Sequence, residues 1–157
     1  MNKLFLSIFL FLIYVHLFAQ SVFEKQQAFA AVEIFFKGFH TGDTLLMQAV
    51  IEEGAMLKSV SSNAEGETTI SEMLVSALIK AVANRPPTEV WEEKLSGHTT
   101  FVDGPLAVVW TPYEFWRNGR LSHCGANLFV LTQASGGWKI QSITDSRRKA
   151  DCETVKD

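Results

Sequence analysis

The chain has 157 residues, 47% apolar and 20% charged, with a formal net charge of −3. That length and apolar fraction describe one domain with a substantial core and exclude a disordered chain. The balance of 14 basic against 17 acidic residues carries no basic stripe, which argues against a nucleic-acid partner, and two cysteines are too few for a disulfide-built scaffold or a cysteine-only zinc site.

The N-terminus reads as an address. Lys3 precedes an almost wholly apolar run from Leu4 to Phe18, shorter than the roughly 20 residues of a comfortable membrane span. Small Ala19 and polar Gln20 follow. A positive start, a short apolar core and a small exit residue predict a signal peptide over residues 1–19. Export to the periplasm or the medium follows, with no stable membrane insertion after the cut. Leu17 is not the ideal residue at the −3 position, so the cut falls after Ala19 or Gln20; an uncleaved anchor is the alternative.

Residues 22–40 place Ala28, Val32, Phe35, Phe36 and Phe39 on one face of a 3.6-period helix, and Phe23 and Phe29 add to its aromatic content. Gly42 ends that helix and Asp43 caps a second over about 43–52. A short strand is expected over 55–60 and a loop over 61–69. A third helix is expected over roughly 70–83, stopped by Asn84-Arg85-Pro86-Pro87.

The texture then turns to strands. Residues 89–102 mix Trp91, Leu95, Phe101 and Val102 with polar residues, and Asp103-Gly104-Pro105 is a turn. Residues 106–117 are β-branched and aromatic, Asn118-Gly119 is a strong two-residue hairpin signal, and 120–132 return. A turn at 134–137 and a strand over 138–144 follow. Helices then an antiparallel meander predict an α+β domain over 22–148, with a polar tail over 149–157.

With Asn118-Gly119 as the turn, simple register places Glu114 opposite His123, Trp116 opposite Leu121, Trp110 opposite Asn127 and Val108 opposite Phe129, all on one face. Apolar walls with a few polar groups describe a pocket, and Glu114 beside His123 would raise the imidazole pKa and form an acid–base pair. A cross-strand pair at a wet edge is the plainer reading. The other face holds Val109, Tyr113, Phe115 and Cys124, an apolar patch if it is convex. A bulge at Pro112 or Gly125 would move Glu114 or His123 to the other side.

His40 ends the first helix and reads as a dipole partner, and His98 as solvent-facing. No histidine motif for a metal occurs, so neither metal nor other cofactor is expected. Cys124 neighbours His123, but strand neighbours point apart. It reads as a buried thiol. Export also permits a Cys124–Cys152 disulfide, which requires the tail to fold back.

The segments from Trp110 to Leu131 (W-T-P-Y-E-F-W-R-N-G-R-L-S-H-C-G-A-N-L-F-V-L) and from Gly136 to Arg148 (G-G-W-K-I-Q-S-I-T-D-S-R-R) resemble the nuclear transport factor 2-like superfamily. With A-V-x-x-F-F-x-G-x-H-T-G-D at 31–43, they are similar to its lumazine-binding branch, alongside ketosteroid isomerase-like and polyketide cyclase-like members. The resemblance implies a cone-shaped α+β fold, helices packed in a bent antiparallel sheet, with a cavity at the open end. It implies His123, Glu114 and Tyr113 as the nearest acid–base candidates and a homodimer through the sheet face. The first helix lacks the tyrosine of an isomerase, and Asn127 stands where relatives often carry a carboxylate.

The leading expectation is an exported binding protein for a small apolar or aromatic molecule, its pocket lined by Trp110, Trp116, Asn127, Phe129 and Tyr113. An isomerase- or dehydratase-type enzyme using His123 and Glu114 is the alternative. A non-catalytic dimerisation module, its cone filled by its own phenylalanines, is a third.

Overall fold

The computed structural model describes residues 3–63 and 65–152, with side chains from residue 22 onward. Residues 1–2 and all side chains of the expected leader, and residues 153–157 of the expected tail, lie outside the described residues. Among the described residues no helix is long and apolar enough to cross a membrane.

The elements, in chain order, are α1 (Lys3–Thr41), α2 (Thr44–Val50), β1 (Ile51–Ser62), β2 (Thr68–Leu74), α3 (Val75–Ala83), β3 (Trp91–Leu95), β4 (Thr99–Asp103), β5 (Leu106–Arg117), β6 (Arg120–Ala134) and β7 (Gly137–Arg147). Helix α1 buries Ala28, Val32, Phe35, Phe36 and Phe39, the periodic face, while Phe23 is exposed. Gly42 takes a positive φ of 78° after it. The Asp43 carboxylate then accepts the Leu45 and Leu46 amide hydrogens at 3.0 and 3.2 Å, capping α2.

The expected third helix is too long by one element. Residues 68–74 form β2, paired antiparallel with β1 from Met56–Leu74 to Ser62–Thr68. Its side chains are all exposed, so periodicity had little burial to report there. Only Val75–Ala83 is helical, and it buries Val75, Ile79 and Val82.

The sheet runs β2-β1-β7-β6-β5-β3, with β4 also on β5. The expectation of an antiparallel sheet needs one correction, because β1 pairs with β7 in parallel. The outer edge of β5 is shared by two short strands, β3 against 113–117 and β4 against 106–110. The break between them faces Thr111 and Pro112, and Pro112 has no amide hydrogen to offer a continuous neighbour. The Pro112 carbonyl instead accepts the Ser96 amide at 3.0 Å.

Asn118 and Gly119 take positive φ values of 53° and 73°, as the hairpin signal requires. The register holds for Arg117–Arg120 and Trp116–Leu121, then shifts. Ser122 is an extra residue on β6, and beyond it Phe115 faces His123, Glu114 faces Cys124, Tyr113 faces Gly125 and Thr111 faces Asn127. The bulge therefore lies at neither Pro112 nor Gly125. Gly125 serves another need: a Cβ there would stand 1.7 Å from the Ser146 carbonyl oxygen on β7.

The curved sheet wraps its inner face around α1, α2 and α3. The core joins the α1 phenylalanines to Leu57, Val109, Phe129, Leu131, Trp138, Ile140 and Ile143. The tail folds back as well. Cys124 and Arg148 exchange backbone hydrogen bonds at 2.9 Å, and Cys124 is disulfide-bonded to Cys152 with their Cα atoms 5.6 Å apart. The reading of Cys124 as a free thiol is thereby overturned.

Candidate functional site

A cavity of about 290 Å³ lies between α1 and the inner face of the sheet, and a second, more open hollow between α1 and β3 shares Phe36 and Glu93 with it. The cavity walls are aromatic and aliphatic, from Phe35, Phe36 and Phe39 of α1, Trp91 of β3, Phe115 of β5, Phe129 of β6 and Ile143 of β7. Thus the α1 phenylalanines line space and do not fill it. Alternation places the polar floor among them: Glu93 on β3, Tyr113 on β5, His123 and Asn127 on β6, Asp145 and Arg147 on β7.

Two hydrogen-bonded groups make up that floor. In the first, Asn127 Nδ2 donates to Glu93 Oε1 at 2.7 Å and lies 3.4 Å from Thr111 Oγ1. In the second, buried Asp145 accepts from Ser59 Oγ at 2.5 Å, from the Tyr113 hydroxyl at 3.1 Å and from Arg147 Nε at 2.5 Å. The Tyr113 hydroxyl is shared with the Ser146 carbonyl at 3.0 Å.

Burial is the leading influence on the acid–base character of the floor. It pushes the Glu93 carboxyl up to about 7, aided by the Asp145 charge and opposed by the Asn127 hydrogen bond. It raises Tyr113 above the usual phenol range, with the charges of Asp145 and Glu93 in support, so Tyr113 stays protonated. It lowers His123, and the Arg147 charge lowers it further. The expected elevation of His123 by a carboxylate is therefore reversed.

The expected site residues divide between the two faces. His123, Tyr113, Asn127 and Phe129 lie on the cavity. Trp110, Trp116 and Glu114 lie on the outer face, because the Ser122 bulge changes the parity of β6 relative to β5. Glu114 faces Cys124 and accepts the Trp116 indole hydrogen at 2.9 Å, and Lys94 sits 4.5 Å from the centroid of the Trp116 ring. The apolar patch expected on the Tyr113 side is correspondingly the inner wall. The outer face instead exposes Phe101, Leu106 and Trp110.

His40 is not a cationic helix-end partner. Its Nε2 accepts the Glu93 amide hydrogen at 3.0 Å, which requires an unprotonated nitrogen, and burial lowers its pKa. The C-terminal carbonyls of α1 are met by Arg85, which donates to Phe39 and His40 at 3.2 and 3.1 Å. His98 is exposed and stacks on Phe29, with centroids 3.6 Å apart. Among the described residues no group of three or more His, Cys, Asp or Glu is placed to share a metal ion.

No family model matches the sequence, and no curated protein matches it. Solved structures do match in shape. A nuclear transport factor 2-like superfamily protein from Salmonella enterica serovar Typhimurium is similar with a TM-score of 0.62 at 14% identity, over 87% of this chain and 99% of that one. The fold is nuclear transport factor 2-like. A candidate dehydratase of the same family from Streptomyces avermitilis gives a TM-score of 0.57 at 15% identity, over 80% of this chain and 96% of that one. The beta subunit of a candidate aromatic-ring-hydroxylating dioxygenase from Novosphingobium aromaticivorans gives 0.63 at 10% identity, over 80% and 89%.

In this nuclear transport factor 2-like cone, the residue that sequence reasoning missed is Glu93. Its signal was the alternation of Trp91, Glu93 and Leu95, inward, with Glu92 and Lys94, outward. Asp145, near the end of the last strand, is buried in the floor.

Proposed function

We propose that this protein binds a compact, largely apolar or aromatic small molecule inside the cone. The observation that carries this reading is the cavity of about 290 Å³, aromatic in its walls and polar only at its floor. The lumazine-binding branch is the member group we favour, on the sequence resemblance. Export after removal of residues 1–19 is part of the proposal, and the Cys124–Cys152 disulfide supports it, since such bonds persist in oxidising compartments. A homodimer through the outer sheet face is also part of it, because Phe101, Leu106 and Trp110 are exposed there and apolar.

A second reading, acid–base catalysis, draws on one specific feature. Glu93 holds a carboxyl pushed up to about 7 next to a protonated Tyr113, whereas Glu114 is outside the cavity. An isomerase or dehydratase would use Glu93 to move the proton. The candidate dehydratase among the structural neighbours supports that reading only at the level of fold.

Native mass spectrometry of protein purified from an exporting host tests the first reading. The expected result is a dimer that carries a small extra mass, lost when Phe129→Trp fills the cavity. A bare species that stays bare after exposure to a metabolite extract overturns it. Turnover that disappears in Glu93→Gln while the ligand still binds would favour the enzyme.

A further inference from the structure

Two carboxylates line the cavity, and they differ in what neutralises them. Asp145 is paired with Arg147. The other arginine on the cavity, Arg117, is held by Glu89 through two hydrogen bonds of 3.1 and 2.5 Å. Glu93 makes no ion pair among the described residues; its one side-chain partner there is the neutral Asn127 amide. A largely buried carboxylate with no directly paired cation, eased only by the more distant Arg147 charge, favours a proton or a ligand cation.

The surroundings of Glu93 suit the cation. Glu93 is directly opposite Phe115 in the β3–β5 ladder, and Trp91 is two residues away on the same face. Phe39 of α1 approaches both rings, with centroids 6.1 Å from Trp91 and 6.2 Å from Phe115. A carboxylate among aromatic faces attracts an ammonium by its charge and by the ring quadrupoles. An anion would meet Glu93 and Asp145 with both arginines already committed.

We propose that the cavity takes a flat aromatic amine as its ammonium ion, with Glu93 as counter-ion and Trp91, Phe39 and Phe115 around it. The proposal rests on the small-molecule reading above and narrows its ligand class. The charged and titratable groups around Glu93 are Asp145 and Arg147 from β7, Tyr113 and Arg117 from β5, His123 from β6 and His40 from α1, with exposed Glu33 and Lys37 of α1 on the second hollow that Glu93 lines and Arg85 over the Trp91 ring, 5.4 Å from its centroid. The first two neutralise each other, Tyr113 stays protonated and both histidines are pushed toward the neutral form. Glu93 is then the group that changes charge near pH 7. Amine binding deprotonates it and releases one proton at lower pH.

The test is calorimetric titration of the full protein with 2-naphthylmethylamine, its neutral isostere 2-naphthylmethanol and the anion 2-naphthoate, in buffers of different ionisation enthalpy. The amine is expected to bind at least about tenfold tighter than the alcohol at pH 8, and about tenfold weaker at pH 6 than at pH 8, with proton release. Glu93→Gln should erase the preference of the amine over the alcohol. Trp91→Leu should weaken the amine more than the alcohol, which keeps the proposal testable should Glu93→Gln fold poorly. Alcohol or naphthoate binding as tightly as the amine overturns the proposal alone, as does a preference that survives Glu93→Gln. If none of the three binds, the proposal falls and the mass-spectrometric experiment decides the wider reading separately.

Discussion

Asn127 donates to Glu93 Oε1 at 2.7 Å across the cavity floor, joining the centre of the sheet to its edge strand. This bond favours the charged carboxylate and holds its pKa down against burial. Asn127→Leu should therefore move the Glu93 transition above its value of about 7. Infrared titration of the carboxyl stretch reads it directly. A transition that stays in place or falls would show that the bond does not form in solution.

Stability should record the same group. The Glu93 carboxyl is raised from 4.5 to about 7 on folding, so the folded state binds its proton more tightly than the unfolded chain. The stabilisation from that proton is complete below about pH 4.5 and is lost as pH rises through about 7. Glu93→Gln removes this dependence. Relative to wild type, the variant should gain on the order of 1–3 kcal/mol between pH 5 and pH 8. Chemical denaturation at both pH values, compared pairwise, checks it; a constant difference contradicts it.

The parity change at Ser122 separates residues that simple alternation groups together. Trp110→Ala, Trp116→Ala and Glu114→Gln should leave the affinity of any cavity ligand within about twofold, because these side chains lie outside. Phe115→Ala should weaken it by tenfold or more, the usual scale for a large aromatic anchor. Fluorescence titration against one ligand ranks the four. The reverse order would restore the unbulged register.

The Cys124–Cys152 bond closes a loop across β6 and β7, with a sequence separation of 28. Closures of that size contribute about 2–4 kcal/mol. Cys152→Ser should lower stability by that amount and make the protein insensitive to reductant. Thermal unfolding with and without dithiothreitol tests both statements, and an unchanged midpoint in reductant contradicts them.

Much of this fold was legible because its signals are local. The α1 apolar stripe, the Asp43 cap and the Asn118-Gly119 turn each depend on a few neighbouring residues. The site depends on a single extra residue. Ser122 is chemically ordinary for a strand, yet its insertion moves His123 from the Glu114 side to the Tyr113 side. Period-2 alternation cannot absorb such a slip, because every side chain beyond it changes face. Glu93 was hidden for a different reason. Its strand has five residues and two adjacent glutamates, so the Trp91–Glu93–Leu95 alternation that marks the inward one is too short to stand out before pairing with β5 fixes it.

Strand β3 ends the sheet, so its backbone pairs with one neighbouring strand only, and the His40 ring, the Phe39 contact with Trp91 and the Asn127 bond to Glu93 are what else hold the segment. Detaching it exposes a short hairpin margin and leaves the β1-β7-β6-β5 body intact. The cheapest breach of the cone therefore lies beside its acidic group, and amide exchange at residues 91–95 should proceed by local fraying, well ahead of the global unfolding that governs β6.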